Sequence, residues 1–140
     1  MAKSAQLIAQ AAAIPFQQDI DGSVRVLLIR RKPDGKWGIP KGLVDPGYTH
    51  PQAALTEAHE EAGAEGQIVG EPLGDFIYDK FRGTCCVIVY AMQVTRLHSR
   101  YLEKDVRERA WFGIDSAVSL VGREPVKPLM RALKSRLART

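Results

Sequence analysis

The stretch TEAHEEAGAEG, from Thr56 to Gly66, places three glutamates on one short segment that contains no lysine or arginine. If the segment is helical, Glu57, Glu60 and Glu61 stand at positions i, i+3 and i+4 and share one face. Like charges at these spacings cost about 0.2 to 0.5 kcal/mol per pair. A divalent cation would offset that cost, because Mg²⁺ takes oxygen ligands and often bridges carboxylates to substrate phosphates. Taken alone, so short a pattern is more often a solvated helix face than a metal site.

The residues around the glutamates make the pattern specific. Gly42 lies fourteen residues before Thr56, and Gly63 follows Glu61 after one spacer. This spacing resembles the signature of the Nudix hydrolase superfamily, which runs Gly, five residues, Glu, seven residues, then Arg-Glu-aliphatic-x-Glu-Glu-x-Gly-aliphatic. The match spans 23 residues without a gap, and it ends at Ala64. The flanking VRVLLIRRKPDGKWGIPKG and ERAWFGIDSAVSL are also similar to the family, so the resemblance covers most of the chain.

Two positions depart from the signature. Tyr48 stands where the family has the early glutamate, and Thr56 stands where it has the arginine. The resemblance implies that this arginine orients the neighbouring carboxylates by ion pairing and that the early glutamate supports the same network. Since the three later glutamates are intact, the departures bear on rate, on metal affinity and on which carboxylate acts as the base.

The resemblance implies a hydrolase of phosphoanhydride bonds in nucleoside diphosphate-linked or related polyphosphate substrates, dependent on Mg²⁺ or Mn²⁺. Metals and protein cations would neutralise the phosphates while an activated water attacks phosphorus. The implied metal ligands are Glu57, Glu60, Glu61 and the Gly42 carbonyl. The base would be Glu57 or a glutamate from a later loop. Glu108 would supply that base or complete the metal site, against the plainer interpretation of a surface charge before a strand.

Basic and aromatic residues near the signature are candidates for substrate binding, because ammonium and guanidinium groups pair well with phosphate oxygens. Arg30 and Arg31 are neighbours on a predicted strand, so at most one is expected to reach the site. The aromatic candidates would stack on a base, although packing is the commoner role of such rings. The full set of candidates is Arg30, Arg31, Lys41, Lys80, Arg82, Trp37 and Tyr78.

The elements that must position these residues alternate between strands and helices. The N-terminal segment and Val24 to Arg31 are predicted strands, and a loop follows as far as Tyr48. A capping box of Thr49 and Gln52 begins the acidic helix, and Gly63 ends it. Later segments predict a pair of strands joined near Arg82 and Gly83, a strand at RAWFGI, a short helix capped by Asp115, and a last helix from about Pro125 to Leu137. This order predicts a mixed sheet between helices, an α/β/α sandwich of the Nudix type.

Composition favours a single domain over residues 1–140, because the length suits one domain and 45% of the residues are hydrophobic. No run is long enough to span a membrane. The adjacent Cys85 and Cys86 are predicted core residues in a reducing compartment, which favours the cytoplasm. The three histidines lack metal-ligand spacing. Oligomeric state is open, and a homodimer is compatible with the sequence.

The net charge of +4 raises the question of a polyanionic partner. The basic C-terminal tail has apolar residues at helical spacing, so its cations most simply form a solvated face. Within the family, KWGIPKG most resembles the branch acting on dinucleoside polyphosphates and diphosphoinositol polyphosphates. One alternative is an enzyme acting on RNA 5′ ends, which the basic tail would suit. Another is a binding module that has lost catalysis, but retention of the three mutually repelling glutamates argues against it.

Overall fold

The computed structural model describes residues 6–80 and 83–139, and it contains seven strands and three helices within those ranges. In chain order the elements are β1 (Gln6–Gln18), β2 (Val24–Arg31), β3 (Lys41–Leu43), α1 (His50–Ala62), β4 (Ala64–Ile68), β5 (Gly74–Lys80), β6 (Gly83–Leu97), β7 (Arg107–Gly113), α2 (Ile114–Leu120) and α3 (Val126–Ala138).

The strands form one mixed sheet in the order β4-β6-β1-β2-β7. The two longest strands, β1 and β6, run parallel at its centre, and every other pairing is antiparallel. The short β3 pairs with β1 beside β2, and β5 pairs with β6 beside β4. Each central strand thus pairs with two strands along its outer side: β1 with β3 and β2, and β6 with β5 and β4. Through its pairing with β1, β3 holds Gly42, the glycine of the signature, against the central strand.

Helices cover both faces of the sheet. The central strand β1 contributes to the core on each face, because its side chains alternate between the two faces. Ala12, Ile14 and Phe16 face a core that includes α2 and α3. Ala11 and Ala13 face a second core, which is completed by α1. Alanines on the sheet meet alanines on the helix there, so α1 can lie close to β1. The predicted α/β/α sandwich with a mixed sheet is confirmed.

Three local predictions need correction. The segment between Ala64 and Lys80 forms two strands, β4 and β5, because Gly70 (φ +75°) and Pro72 interrupt it. The predicted loop contains β3, which is too short to show a periodicity. The residue before α2 is Gly113 and not Asp115, whose carboxylate lies in the first helical turn and accepts a hydrogen bond from Lys134 Nζ at 2.8 Å.

The other expected elements are confirmed. The N-terminal segment is a strand over Gln6–Gln18, and the last helix runs over Val126–Ala138. The expected junction at Arg82 lies outside the described residues. Within the described ranges, none of the helices is long and apolar enough to cross a membrane.

Candidate active site

Local sequence explains why α1 presents its glutamates in a fixed orientation. Thr49 caps the helix in a reciprocal capping box with Gln52, as predicted, and Gly63 ends it with a φ of +64°. Ala54, Ala58 and Ala62 are fully buried against the sheet. The helix is thus held at both ends and along one side, so the carboxylates emerge at the edge of this packed face.

Glu61 is the most buried acid of the cluster, with only 5% of its surface exposed. One carboxyl oxygen accepts a hydrogen bond from the backbone N–H of Lys41 at 3.3 Å. A second hydrogen bond joins its carboxyl group to that of Glu57. Burial, and then this bond to Glu57, raise the pKa of Glu61 to about 8, while the nearby Arg107 opposes the shift. Near neutral pH, Glu61 therefore holds a proton that it shares with its neighbour.

Glu57 lies beside Glu61 and is partly buried. Burial is the main cause that raises the pKa of Glu57, and repulsion from Glu60 and Glu103 adds to it, whereas the hydrogen bond from Glu61 lowers it. The Glu57 carboxylate lies directly over Gly42, where a Cβ atom would collide with it. The glycine of the signature thus leaves room for a carboxylate that β3 would otherwise exclude.

The loop between β6 and β7 brings two further charged residues to the cluster. The backbone N–H of Glu103 donates to the Glu60 carbonyl at 2.9 Å, which fixes the loop to α1. Arg107, at the start of β7, places Nε 2.6 Å from Glu103 Oε1 and Nη2 3.8 Å from Glu61 Oε1. The sequence prediction missed both Glu103 and Arg107. The only available signal was the arginine missing at position 56, which implies that a cation comes from elsewhere.

A pocket of about 460 Å³ opens next to the carboxylates. Arg107 and Lys41 belong to both features, since each lines the pocket and each contacts Glu61. The pocket also has a floor of apolar residues such as Ile39 and Phe76. The basic residues lining it are Arg30, Arg31, Lys36, Lys41, Arg107 and Arg123. An anionic ligand is the complement of this lining.

The predicted pairing of aromatic rings with a substrate base meets an obstacle. Trp37 lines the pocket, but Arg30 Cζ lies 4.5 Å from its ring centroid and Phe112 packs edge-on at 5.0 Å. Over Tyr78, the Arg123 Cζ lies 4.1 Å from the ring centroid. A guanidinium group therefore already lies over each of the two rings, where a substrate base would have to stack.

Lys41 and Tyr78 belong to one hydrogen-bonded chain. Lys41 Nζ donates to the Tyr78 hydroxyl at 2.8 Å, and that hydroxyl donates to Gln10 Oε1 at 2.9 Å. Gln10 is only 3% exposed. Burial, and then repulsion from Arg123, lower the pKa of Lys41, while Glu61 raises it. The ammonium group is thus held at the mouth of the carboxylate cluster by a chain that ends on a buried partner.

The remaining sequence-predicted residues fall in different places. Both Arg30 and Arg31 line the pocket, and the expectation that at most one of their side chains reaches the substrate stays a prediction. They stand at the end of β2, where Gly35 N–H donates to the Arg31 carbonyl and turns the chain back over the pocket. Glu108 pairs with Arg30 at 3.2 Å, and the two residues face each other across β7 and β2.

One further candidate, Lys80, is not among the described residues that line the pocket. Lys80 is exposed, and its charge adds to the effects of burial and of Arg123 in lowering the pKa of Lys41. Arg82 lies outside the described residues. Cys85 is buried and Cys86 partly buried, both as free thiols, in keeping with the predicted core role.

The structure also shows the environment of Tyr48 and Thr56, the two residues that depart from the signature. Tyr48 is 50% exposed. Thr56 is partly buried and lines a shallow groove with Glu60 and His59. The described ion pairs give the α1 carboxylates one cationic partner, Arg107.

The donor set suits a hard divalent cation. Glu57 and Glu61 are paired acids with raised pKa values, so a cation that replaces their shared proton would relieve a repulsion already present. Among the described residues, no three acidic, histidine or cysteine side chains are yet grouped closely enough to hold one ion. Binding would therefore require the two carboxyl groups to separate and turn toward the ion.

Comparison with known proteins agrees with this geometry. The family model of the NUDIX domain matches residues 8–133. The human diphosphoinositol polyphosphate phosphohydrolase 3-beta is 31% identical over 115 residues, which cover 80% of this chain and 68% of the relative. The 8-oxo-(d)GTP phosphatase of Mycolicibacterium smegmatis is 34% identical over 97 residues, which cover 69% of this chain but only 29% of that protein.

Solved structures show the same fold. The Ap4A hydrolase of C. elegans, in a binary complex, superposes with a TM-score of 0.75 at 22% identity, covering 95% of this chain and 99% of that one. A NUDIX hydrolase from Nitrosomonas europaea gives a TM-score of 0.71 at 24% identity, covering 96% and 90%. Because the family model covers most of the chain and its relatives are hydrolases, this protein belongs to the Nudix hydrolase family and is a Nudix-type pyrophosphohydrolase.

Proposed function

We propose that this enzyme hydrolyses a phosphoanhydride bond in a polyphosphate substrate that binds in the basic pocket, with Mg²⁺ or Mn²⁺ held by the α1 carboxylates. Nudix hydrolases generally use divalent metal ions. One observation carries the proposal: Lys41 lines the pocket while its backbone N–H holds Glu61 at 3.3 Å. A substrate whose outer phosphates fill the pocket would therefore extend its next phosphate toward the acids.

The proposed metal ligands are Glu57 and Glu61, with Glu60 and the Gly42 carbonyl completing the set. Their support is the pair of carboxyl groups of Glu57 and Glu61 beside Gly42. When bound, the ion would neutralise phosphate charge and lower the pKa of an attacking water. This chain's own residues would bind the outer phosphates, and a glutamate would accept the proton from the water.

We propose Glu57 or Glu103 as that proton acceptor. The sequence favoured Glu57 or a glutamate from a later loop, with Glu108 as the loop residue. Glu108 is paired with Arg30, whereas Glu103 adds to the effect of burial on the pKa of both Glu57 and Glu61 and so lies within their electrostatic reach. Glu103 therefore takes the place of Glu108 in the proposal.

The pocket favours a substrate with several phosphates over one recognised mainly through a base. Its lining is rich in cations, and two of its arginines occupy the rings of Trp37 and Tyr78 that a base would need. A diphosphoinositol polyphosphate or a dinucleoside polyphosphate satisfies this requirement. The name of the human relative supports the first, since that protein is a diphosphoinositol polyphosphate phosphohydrolase.

An RNA 5′ end is the weaker candidate, because the basic tail is largely engaged within the molecule. Arg136 donates to the carbonyls of Val69 and Glu71 at 3.0 and 2.8 Å, and Lys134 pairs with Asp115. Lys127 pairs with Glu124 at 3.1 Å. These contacts support a structural role for α3.

A substrate screen tests the proposed function. Diphosphoinositol polyphosphates, dinucleoside polyphosphates, nucleotide sugars and triphosphorylated RNA would be incubated with Mg²⁺, with Mn²⁺ or with chelator, and phosphate products measured. We expect metal-dependent release from the first two classes and little from nucleotide sugars. Equal release with chelator, or release from RNA alone, would contradict the proposal.

Two broader proposals accompany it. We propose that residues 1–140 form a single Nudix domain, supported by a family match that extends over residues 8–133. We also propose a cytoplasmic location, supported by the free Cys85 and Cys86. A homodimer stays a prediction that measurement of the molar mass in solution would test.

A further inference from the structure

The acidic cluster has an unusual source of positive charge. In the Nudix signature the residue before the first helical glutamate is an arginine, but here it is Thr56. Glu57, Glu60 and Glu61 nevertheless share one face of α1, and the Glu103 N–H donates to the Glu60 carbonyl at 2.9 Å, so four mutually repelling glutamates gather at this place. Without a cation, the buried Glu61 would face this repulsion alone. Something other than α1 must supply the missing charge.

Arg107 is the residue in the right place. Its side chain is only 17% exposed, and its guanidinium group lies between Glu103, at 2.6 Å from Nε, and Glu61, at 3.8 Å from Nη2. A planar guanidinium can hold two carboxylates in a fixed relation, which the flexible ammonium group of a lysine does less well. The group therefore contacts one acid from the helix and one from the loop.

The backbone around Arg107 fixes this position. Its N–H donates to the Glu103 carbonyl at 3.1 Å, and the Glu103 N–H donates in turn to the Glu60 carbonyl on α1. On the other side, Arg107 is paired with Arg31 across β7 and β2. The backbone of Arg107 is thus fixed by β2 on one side and by the loop bound to α1 on the other, so its side chain starts from a defined position next to the acids.

We propose that Arg107 is the positioning residue for the carboxylates of this enzyme, and that it replaces from β7 the arginine that the signature carries on α1. The inference rests on the proposed function for its kinetic consequences. Because Arg107 already has two carboxylate partners, most of its charge is neutralised by them. Its main effect is to hold Glu61, a proposed metal ligand, beside Glu103, a proposed proton acceptor, and so to limit the positions that both carboxylates can take.

The proposal separates Arg107 from the other arginines of the pocket. Arg30 also lines the pocket, but its carboxylate partner is Glu108 and not an acid of the cluster. A phosphate contact should mainly affect KM, whereas a positioning residue should affect kcat and metal affinity. The matched pair Arg107→Met and Arg30→Met removes one guanidinium in each case and distinguishes these roles.

The first experiment measures Mn²⁺ affinity by calorimetry without substrate. We expect Arg107→Met to weaken Mn²⁺ binding about tenfold, since at least two side chains must then be ordered by the ion itself. Arg107→Lys should fall between this variant and the wild type. Arg30→Met, and Lys134→Met as a surface control, should retain wild-type affinity. Unchanged or tighter Mn²⁺ binding in Arg107→Met would overturn the proposal.

The second experiment uses kinetics and rescue. Arg107→Met should lower kcat at saturating metal with little change in KM, and Arg30→Met should raise KM. Thr56→Arg should change the wild type little, but in Arg107→Met it should restore most of the lost Mn²⁺ affinity and kcat. Absence of rescue, or a pure KM effect of Arg107→Met, would refute the replacement.

Failure of the proposed function and failure of the positioning role give different results. If no substrate is turned over by the wild type, the proposed function fails, yet the Mn²⁺ measurements still decide the role of Arg107. If the wild type is active and Arg107→Met binds Mn²⁺ normally, the proposed function stands and the positioning role fails. Far-ultraviolet circular dichroism of each variant confirms that the comparison is between folded proteins.

Discussion

The backbone N–H of Lys41 donates to the carboxyl group of Glu61 at 3.3 Å, and this bond joins the basic pocket to the acidic helix. Both residues are at least partly buried, so the contact is protected from bulk water. The residue whose ammonium group we propose to bind phosphate thus also holds an acid that we propose as a metal ligand. A substrate phosphate at Lys41 would therefore lie close to an ion at Glu61.

Glu61→Gln should abolish turnover and leave the fold intact. The amide keeps the size of the carboxyl group and can still accept the Lys41 N–H, but it cannot become an anionic ligand. We expect kcat to fall at least about a thousandfold, as for the loss of a major electrostatic group. Steady-state kinetics and circular dichroism would test this, with Glu65→Gln on β4 as the exposed control. Near wild-type kcat would exclude Glu61 from the active site.

The raised pKa of Glu61 predicts a pH dependence of metal-free stability. Its folded pKa of about 8 lies above the unfolded value of 4.5, so the folded state binds the extra proton between these limits. The free energy of unfolding should therefore fall as pH rises from about 4.5 to 8, by at most about 1.4 kcal/mol for each pH unit. Thermal denaturation of Glu61→Gln in chelator should show a flatter profile and a higher Tm at pH 9 than the wild type. Parallel profiles would contradict the raised pKa.

The same protonation predicts that metal binding releases protons. A cation at Glu57 and Glu61 must displace the proton they share, since the ligands must be ionised. Calorimetric titration with Mn²⁺ at pH 7, in buffers of different ionisation enthalpy, should reveal close to one proton released per ion bound. At pH 9.5 the release should disappear. Buffer-independent heats at pH 7 would show that the ion binds elsewhere.

The features found from the sequence are those encoded locally. The capping box at Thr49, the buried alanines and Gly63 all lie within or beside α1, so the helix and its acidic face follow from spacing alone. The signature then placed Gly42 at the site, and the collision of its Cβ with Glu57 gives that choice a physical reason. Here the sequence and the structure agree because each contact joins residues close in the chain or in a fixed pattern.

The residues that the sequence missed depend on contacts made over a long range. Glu103 and Arg107 reach the acids only because residues 98–106 fold back onto the end of α1. Arg123 reaches the pocket from the turn between α2 and α3. Neither location leaves a periodic or capping signal. The choice of Glu108 over Glu103 shows the same limit, because a glutamate near a strand gives no indication of which face it will occupy.

Gly42→Ala tests the close approach of β3 and α1. The added Cβ would collide with the Glu57 carboxylate, which must then shift from its place beside Gly42. We expect kcat/KM to fall about tenfold or more, as when a catalytic group is misplaced by about 1 Å. Gly113→Ala is the matched control, since a Cβ there meets nothing within 4 Å. Equal losses in both variants would point to a general effect of alanine on the backbone.

Lys41→Met tests whether the basic pocket recognises the length of the polyphosphate. The ammonium group donates to the Tyr78 hydroxyl at 2.8 Å, and burial, followed by repulsion from Arg123, lowers its pKa, so an anionic ligand would relieve a repulsion already present. Hydrogen bonds to charged groups contribute about 1.5 to 3 kcal/mol, which corresponds to roughly ten- to hundredfold in kcat/KM. We expect this loss for a long polyphosphate substrate and a smaller one for a short substrate, because a short substrate leaves part of the pocket empty.

Measurement of kcat/KM for both substrates, with Lys134→Met as a control that removes a distant charge, would separate a local contact from a change in net charge. Equal values for Lys41→Met and wild type on both substrates would remove Lys41 from the site and leave phosphate binding to Arg30, Arg31 and Arg123.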